Sequence, residues 1–163
     1  MRVAAYPSAL ATVVPAAVAV LKTSHPDVDV KLVDAEPSEA VALVESGEVD
    51  VAVAFTYHDD YEVGAGLTWR PTGTERVRLV LPPRYAGSRR PVALGDLGRE
   101  PWIVGCSRCR AHLADVCRQA GFDPIEHHAT DDYVVGQSLV AAGLGVMLRE
   151  PGGDRGYDGH APT

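Results

Sequence analysis

HPDVDVKLVDAEPSEAVALVESGEVDVAVAF, residues 25–55, decides the fold. Val28, Val30 and Leu32 alternate with Asp29 and Lys31 at the period of a strand, and Val33 adds a further β-branched apolar position. Glu36-Pro37-Ser38 then offers either a proline at a first helical position or a serine N-cap. Val41 and Val44 continue at helical spacing, and Gly47 stands where a left-handed C-cap is wanted. A second strand is predicted over residues 49–55. Two strands joined by one helix form a right-handed βαβ crossover with parallel strands, so the chain is α/β.

Outward from this unit, a first strand is predicted at residues 3–6. From Ser8, a candidate N-cap, Leu10, Val13, Val14, Ala17, Val20 and Leu21 recur along one helical face. Pro15 either kinks that helix or marks its true start, and His25-Pro26 ends it. Residues 56–74 are polar and glycine-rich, with one short strand expected at 67–69. Strands follow at 77–81, 102–104, 125–127 and 144–148. Residues 91–97 read as a connector. Helices are expected at 106–120, closed by Gly121, and at 131–142, with Thr130 as N-cap and Gly143 as C-cap. The second half thus repeats the architecture of the first, without a sequence repeat of fixed period. A connector near residues 66–75 implies two lobes with a cleft between them.

The 163 residues carry a formal charge of −7, with a pI near 5.3. Such a surface repels phosphate backbones, so these residues are not expected to bind DNA themselves. Met1-Arg2 and the apolar run at 9–21 loosely match a secretory signal. A single arginine, the break at Tyr6-Pro7-Ser8 and the interruption by Pro15 argue against it, and cleavage would delete the first strand. No other run is long and apolar enough to span a bilayer. Cys106, Cys109 and Cys117 form one odd-numbered cluster rather than a secreted disulfide framework, which favours the cytoplasm.

An ordered set of short motifs resembles the effector-binding domain of LysR-type transcriptional regulators. It comprises Val14-Pro15, His25-Pro26-Asp27-Val28, Ser46-Gly47-Glu48-Val49-Asp50-Val51-Ala52-Val53, and Asp96-Leu97 before Glu100-Pro101-Trp102-Ile103. Gly121-Phe122-Asp123-Pro124 and Leu139-Val140-Ala141-Ala142-Gly143-Leu144-Gly145-Val146 complete it. Each motif is weak alone; their order through most of the chain is specific.

The resemblance implies a two-lobed fold like that of type 2 periplasmic binding proteins, each lobe a small, mostly parallel sheet flanked by helices. Lobe 1 is expected over residues 1–73, lobe 2 over 74–148, and an irregular tail over 149–163. The family's winged helix-turn-helix has no counterpart in these residues. The short, glycine-rich tail does not match the family's return to lobe 1, so that lobe is expected to expose an edge and apolar surface.

Ligands of open parallel sheets sit beyond the carboxyl ends of the strands, facing helix N-termini. With the resemblance, this nominates Pro7, Ser8, Glu36, Thr56 and Tyr57 on one wall and Gly105, Cys106, Ser107, Arg108, Thr130 and Asp131 on the other. Ser8, Ser107 and Thr130 combine a hydroxyl with a helix start, which suits a carboxylate or similar anion, though each also reads simply as a cap. Arg108 reads either as a counter-charge or as a solvated side chain.

Other constellations are weaker. Cys106-Ser107-Arg108-Cys109 is a C-x-x-C at a helix start, where the helix dipole, Arg108 and Arg110 would stabilise a thiolate. Cys106, Cys109, His112 and Cys117 lack a zinc-site spacing, and packing of Cys109 and Cys117 as small apolar residues is the preferred reading. His127 and His128, adjacent on a strand, point to opposite faces and do not both ligate one ion. Gly143-Leu144-Gly145 lies between a helix and a strand, the reverse of a dinucleotide-binding context. No nucleophile, base and orienting acid stand in a recognisable arrangement.

The function implied is therefore sensing, without cofactor, metal or catalysis: a small organic effector controls transcription through a homodimer, with DNA bound by a separate winged helix-turn-helix domain and no membrane involved. A transporter's solute-binding protein and a small-metabolite enzyme on the same fold are the alternatives.

Overall fold

The computed structural model describes residues 1–57, 64, 66–88 and 90–149. The chain divides into two compact units, one beginning at Met1 and running to Glu75, the other beginning at Arg76. The expected irregular tail, apart from Arg149, lies outside the described residues.

In the first unit β1 (Arg2–Ala5) is flanked by β2 (Lys31–Asp34) and β3 (Val51–Val53), giving the parallel order β2-β1-β3. The helices are α1 (Pro7–Ala11), α2 (Val13–Ser24) and α3 (Pro37–Glu45). One helix was expected from Ser8 to beyond Leu21. The structure breaks it at Thr12, whose φ of −129° and ψ of −83° lie outside the helical region. Pro15 accounts for the break: its ring would meet the carbonyl four residues back, at Ala11, so it fits only in the first turn of a new helix. The Thr12 hydroxyl donates to the Ser8 carbonyl at 2.6 Å and holds the corner.

Strand β2 starts three residues later than the alternation predicts. The backbone N–H of Val28 donates to His25, closing a turn, and the Lys31 N–H donates to Met1, so pairing begins where β1 begins. Leu32 is consequently 45% exposed while Val33 packs with Ala4, Ala35, Ala40 and Val49. The expected strand at 67–69 is absent; these residues have no regular structure.

Pro37, not Ser38, opens α3, with Glu36 as its N-cap. The helix ends as predicted at Gly47, whose φ is +74°, a value a residue without Cβ adopts freely. Its N–H donates to Val44, and the Glu48 N–H donates to Leu43, the two bonds of a Schellman motif. Arg2 adds a guanidinium bond to the Gly47 carbonyl at 2.7 Å, and its own backbone N–H donates to Asp50 Oδ2 at 2.6 Å.

The second unit holds β4 (Arg78–Val80), β5 (Pro101–Val104), α4 (Ser107–Gln119), β6 (Ile125–Ala129), α5 (Tyr133–Ala141) and β7 (Met147–Arg149). β5 pairs with β6 in parallel, whereas β4 pairs with β7 antiparallel. A parallel bridge between Trp102 and Val146 joins the two pairs. This unit is thus not a copy of the first, because side-chain alternation sets which face is buried but not the direction of pairing. Leu144, expected in the last buried strand, is 46% exposed, since it belongs to the Schellman turn that ends α5. The core gathers Leu97, Trp102, Val104, Leu113, Cys117 and Val146, with Ile103, Val140 and Met147 as a second cluster.

Candidate functional site

Parallel strands end at the same edge, so the loops leaving them are neighbours. In the first unit, the loops after β1, β2 and β3 bring Pro7 and Ser8, Glu36, and Thr56 and Tyr57 to one end of the sheet. Three aromatic rings mark that end. Tyr6 meets Phe55 edge to face at 5.0 Å between centroids, and Phe55 meets Tyr57 at 5.5 Å. Tyr6 and Phe55 immediately precede the candidate residues Pro7 and Thr56, and the sequence places all four at this end of the sheet.

Ser8 is not an N-cap. Pro7 is the first residue of α1, Tyr6 precedes it without a side-chain cap, and Ser8 is the second helical residue. The helix has five residues, too few for a developed macrodipole. A hydroxyl within a tight backbone turn is what this position offers.

In the second unit the loops after β5 and β6 lie side by side. Thr130 donates its N–H to Val104 at 2.9 Å, and a Cβ at Gly105 would lie 3.9 Å from the Thr130 carbonyl oxygen. Gly105, Cys106, Ser107, Arg108, Thr130 and Asp131 are therefore assembled at one sheet end. Their capping roles differ from those expected. Cys106, rather than Ser107, is the N-cap of α4, its Sγ accepting the Cys109 N–H at 3.4 Å. Asp132, rather than Thr130, caps α5: Oδ1 accepts from Val134 at 2.8 Å and from Val135 at 3.2 Å. Thr130 Oγ1 accepts the Asp132 N–H at 3.2 Å, a local turn that places the cap.

The electrostatic consequence separates the two helices. An internal carboxylate already answers the N-terminus of α5, whereas a half-buried thiol sits at that of the 13-residue α4. Of the two, α4 is the better end for an outside anion. Arg110 on its first turn pairs with Glu126 on β6 at 3.2 Å.

No disulfide joins the cysteines. Cys106 Sγ and Cys109 Sγ are 2.8 Å apart, while Cys117 is fully buried in the core two turns further along. Burial, with the Asp123 carboxylate adding to it, pushes the Cys117 thiol up to about 11. Cys117 thus packs as a small apolar residue, and the four-residue zinc set is not assembled. Among the described residues no group of three or more His, Cys, Asp or Glu side chains could hold a metal ion. The His127 and His128 rings stand 6.2 Å apart at 73°, the former exposed and the latter half-buried.

Elsewhere in this unit Tyr85 donates to Glu100 Oε1 at 2.6 Å, and this bond to a carboxylate, with burial behind it, raises the phenol's pKa. Arg84 pairs with the same carboxylate and donates to the Gly143 carbonyl at 3.2 Å, bracing the end of α5. Among the described residues no helix is long and apolar enough to cross a membrane.

The chain is similar to known proteins in sequence and in fold. The chain is 28% identical over 145 residues to the HTH-type transcriptional regulator YcgK of Bacillus subtilis, covering 76% of this chain and 44% of that protein. It therefore spans less than half the length of that relative. The C-terminal domain of a probable LysR family transcriptional regulator from Rhodococcus sp. RHA1 superposes with a TM-score of 0.78 at 27% identity, covering 91% of this chain and 72% of that one. The BenM effector binding domain, solved with its effector benzoate, superposes at 0.70 with 17% identity, covering 93% and 70%. That last likeness is one of fold. The LysR substrate binding domain model matches residues 1–149, a range that includes every described residue, and the chain belongs to that family.

Proposed function

We propose that this chain is the effector-sensing part of a LysR-type transcriptional regulator. The observation that carries the reading is the family match over residues 1–149. The effector is a small organic anion, and its candidate contacts lie at the carboxyl ends of the strands within each unit: Pro7, Ser8, Glu36, Thr56 and Tyr57 in the first, Gly105, Cys106, Ser107, Arg108, Thr130 and Asp131 in the second. Support for an anion comes from the α4 N-terminus and from Arg108 in its first turn. Binding acts by favouring one arrangement of the protein over another, so its output equals the difference in affinity between them. That output passes through a homodimer to a winged helix-turn-helix domain outside these residues, which alone touches DNA in the cytoplasm. The net charge of −7 fits this division of labour. Nothing in the reading requires catalysis.

A thermal-shift screen of small carboxylic acids tests it, because a ligand that binds only the folded form raises the melting temperature. The reading expects at least one acid to do so in a dose-dependent way. Ser8→Trp, at a half-buried position of α1, is expected to abolish the shift while the circular dichroism spectrum stays unchanged. Calorimetry showing equal affinity for the variant and the parent would remove Ser8 from the site.

A further inference from the structure

The C-x-x-C has chemistry that effector binding does not use. We propose that Cys106 and Cys109 form a redox-active dithiol that exchanges with small disulfides, closing to an intramolecular disulfide and reopening with excess thiol. The observation that carries this is the contact of the two sulfurs, 2.8 Å apart on the first turn of α4. A disulfide needs about 2.05 Å between them. Closure therefore asks for rotation of two side chains rather than movement of the backbone.

The two cysteines are not equivalent. Cys106 is the N-cap of the helix, and its sulfur accepts the Cys109 N–H. A sulfur in that position is stabilised as thiolate by the bond and by the helix dipole, which makes Cys106 the attacking group and Cys109 the resolving one. Both side chains are half-buried, open enough to meet a small disulfide and enclosed enough to hold their relative geometry. A Cβ at Gly105 would stand in ordinary contact with Cys109 Sγ at 3.7 Å, so the glycine leaves that side of the resolving sulfur uncovered. Cys117 supplies an internal contrast: it is fully buried, and its thiol holds its proton to about pH 11.

The exchange balances in two steps. Cys106 gives its proton to solvent and attacks one sulfur of a disulfide RSSR. The S–S bond breaks, a mixed disulfide forms on Cys106, and RS⁻ leaves and is protonated. Cys109 then loses its proton and attacks Cys106 Sγ, expelling the second RS⁻, which is protonated in turn. Two protein thiols are oxidised and one disulfide is reduced to two molecules of thiol. Excess thiol drives both steps backwards.

The test equilibrates the reduced chain with oxidised glutathione, quenches in acid, and reads intact and peptide masses. A loss of two hydrogens is expected, confined to the peptide that carries Cys106 and Cys109 and restored by reduced glutathione. Cys109→Ser is expected to stop at a stable glutathione adduct on Cys106. Cys106→Ser keeps a good N-cap, so it preserves the helix start, and is expected to form no bridge. Cys117→Ala is expected to bridge like the parent. Masses unchanged at equilibrium with folded protein would overturn the proposal, as would a bridge that includes Cys117 or one that survives Cys106→Ser. No effector enters the measurement, so its failure and that of the effector reading are separate results.

Discussion

Single residues carry more of this structure than their chemistry alone would indicate. A Cβ added at Gly145 would lie 2.7 Å from the Pro101 carbonyl oxygen and 3.1 Å from Ile103 Cγ1. That carbonyl cannot retreat, because it accepts the Val146 N–H in the bridge between the strand pairs. Gly145→Ala is therefore expected to cost about 1–3 kcal/mol, read as a lowered urea midpoint. Gly136→Ala on α5 is the matched control. Its Cβ would meet the terminal methyl and sulfur of Met147, at 3.0 and 3.2 Å, and these can swing aside. The added helix propensity of roughly 1 kcal/mol offsets that rearrangement. Cys117 yields a prediction in pH. Its folded-state pKa is raised from 9.0 to about 11, so its stabilising contribution is complete below pH 9. Between pH 9 and about 11 the unfolded chain releases this proton while the folded one keeps it, and stability falls by up to ~1.4 kcal/mol per pH unit. Denaturation of the parent and of Cys117→Ala from pH 8 upward checks the sign: only the parent should show this loss.

At the level of elements, helix ends were the most legible feature and helix starts the least. Gly47, Gly121 and Gly143 all close helices as read, each with a positive φ and the paired backbone bonds of the Schellman motif. A left-handed residue is demanded by local geometry and nearly always filled by glycine, so the signal survives folding. Starts are ambiguous because several cap-forming residues stand in a row. Thr130, Asp131 and Asp132 are all competent, and β6 running on to Ala129 decides for Asp132. Asp132→Ala is expected to cost about 1 kcal/mol, with Asp132→Asn losing little, since the amide oxygen still accepts the Val134 and Val135 N–H groups. Thermal melts of both variants make the comparison. The grouping of the candidate residues was legible to the same degree: parallel strands from the βαβ pattern bring the loops after β1, β2 and β3 to one sheet end, while the exact capping atom does not follow from it. The antiparallel pairing of β4 with β7 was invisible, because alternation at residues 77–81 is the same in either direction.

Across the whole molecule the two units are built from different material. Among the described residues the first buries Ala4, Ala5, Ala9, Ala35 and Ala40 with Val3, Val14 and Val49 as its largest apolar core side chains. The second buries Trp102, Leu97, Leu113, Ile103, Val140, Val146 and Met147, and Trp102 stacks against Phe122 at 6.3 Å. At about 25 cal/mol per Å² of buried apolar surface, alanine contributes far less than leucine or tryptophan, while ordering each backbone residue costs a similar entropy in both units. Both units leave large apolar side chains exposed, Val20 at 71% in the first and Val134 at 55% in the second, so the difference lies in the cores, and the first unit has the weaker one. Its opening free energy is therefore the lower of the two. Native-state hydrogen exchange followed by mass spectrometry is expected to show amides of β1 and α3 exchanging faster than those of β5 and α4. The margin should narrow in Trp102→Phe or Leu113→Ala, which weaken only the second core. Equal protection of β1 and β5 in the parent would mean instead that the chain opens as one cooperative body, and that the alanine-rich core of the first unit draws its stability from more than its own packing.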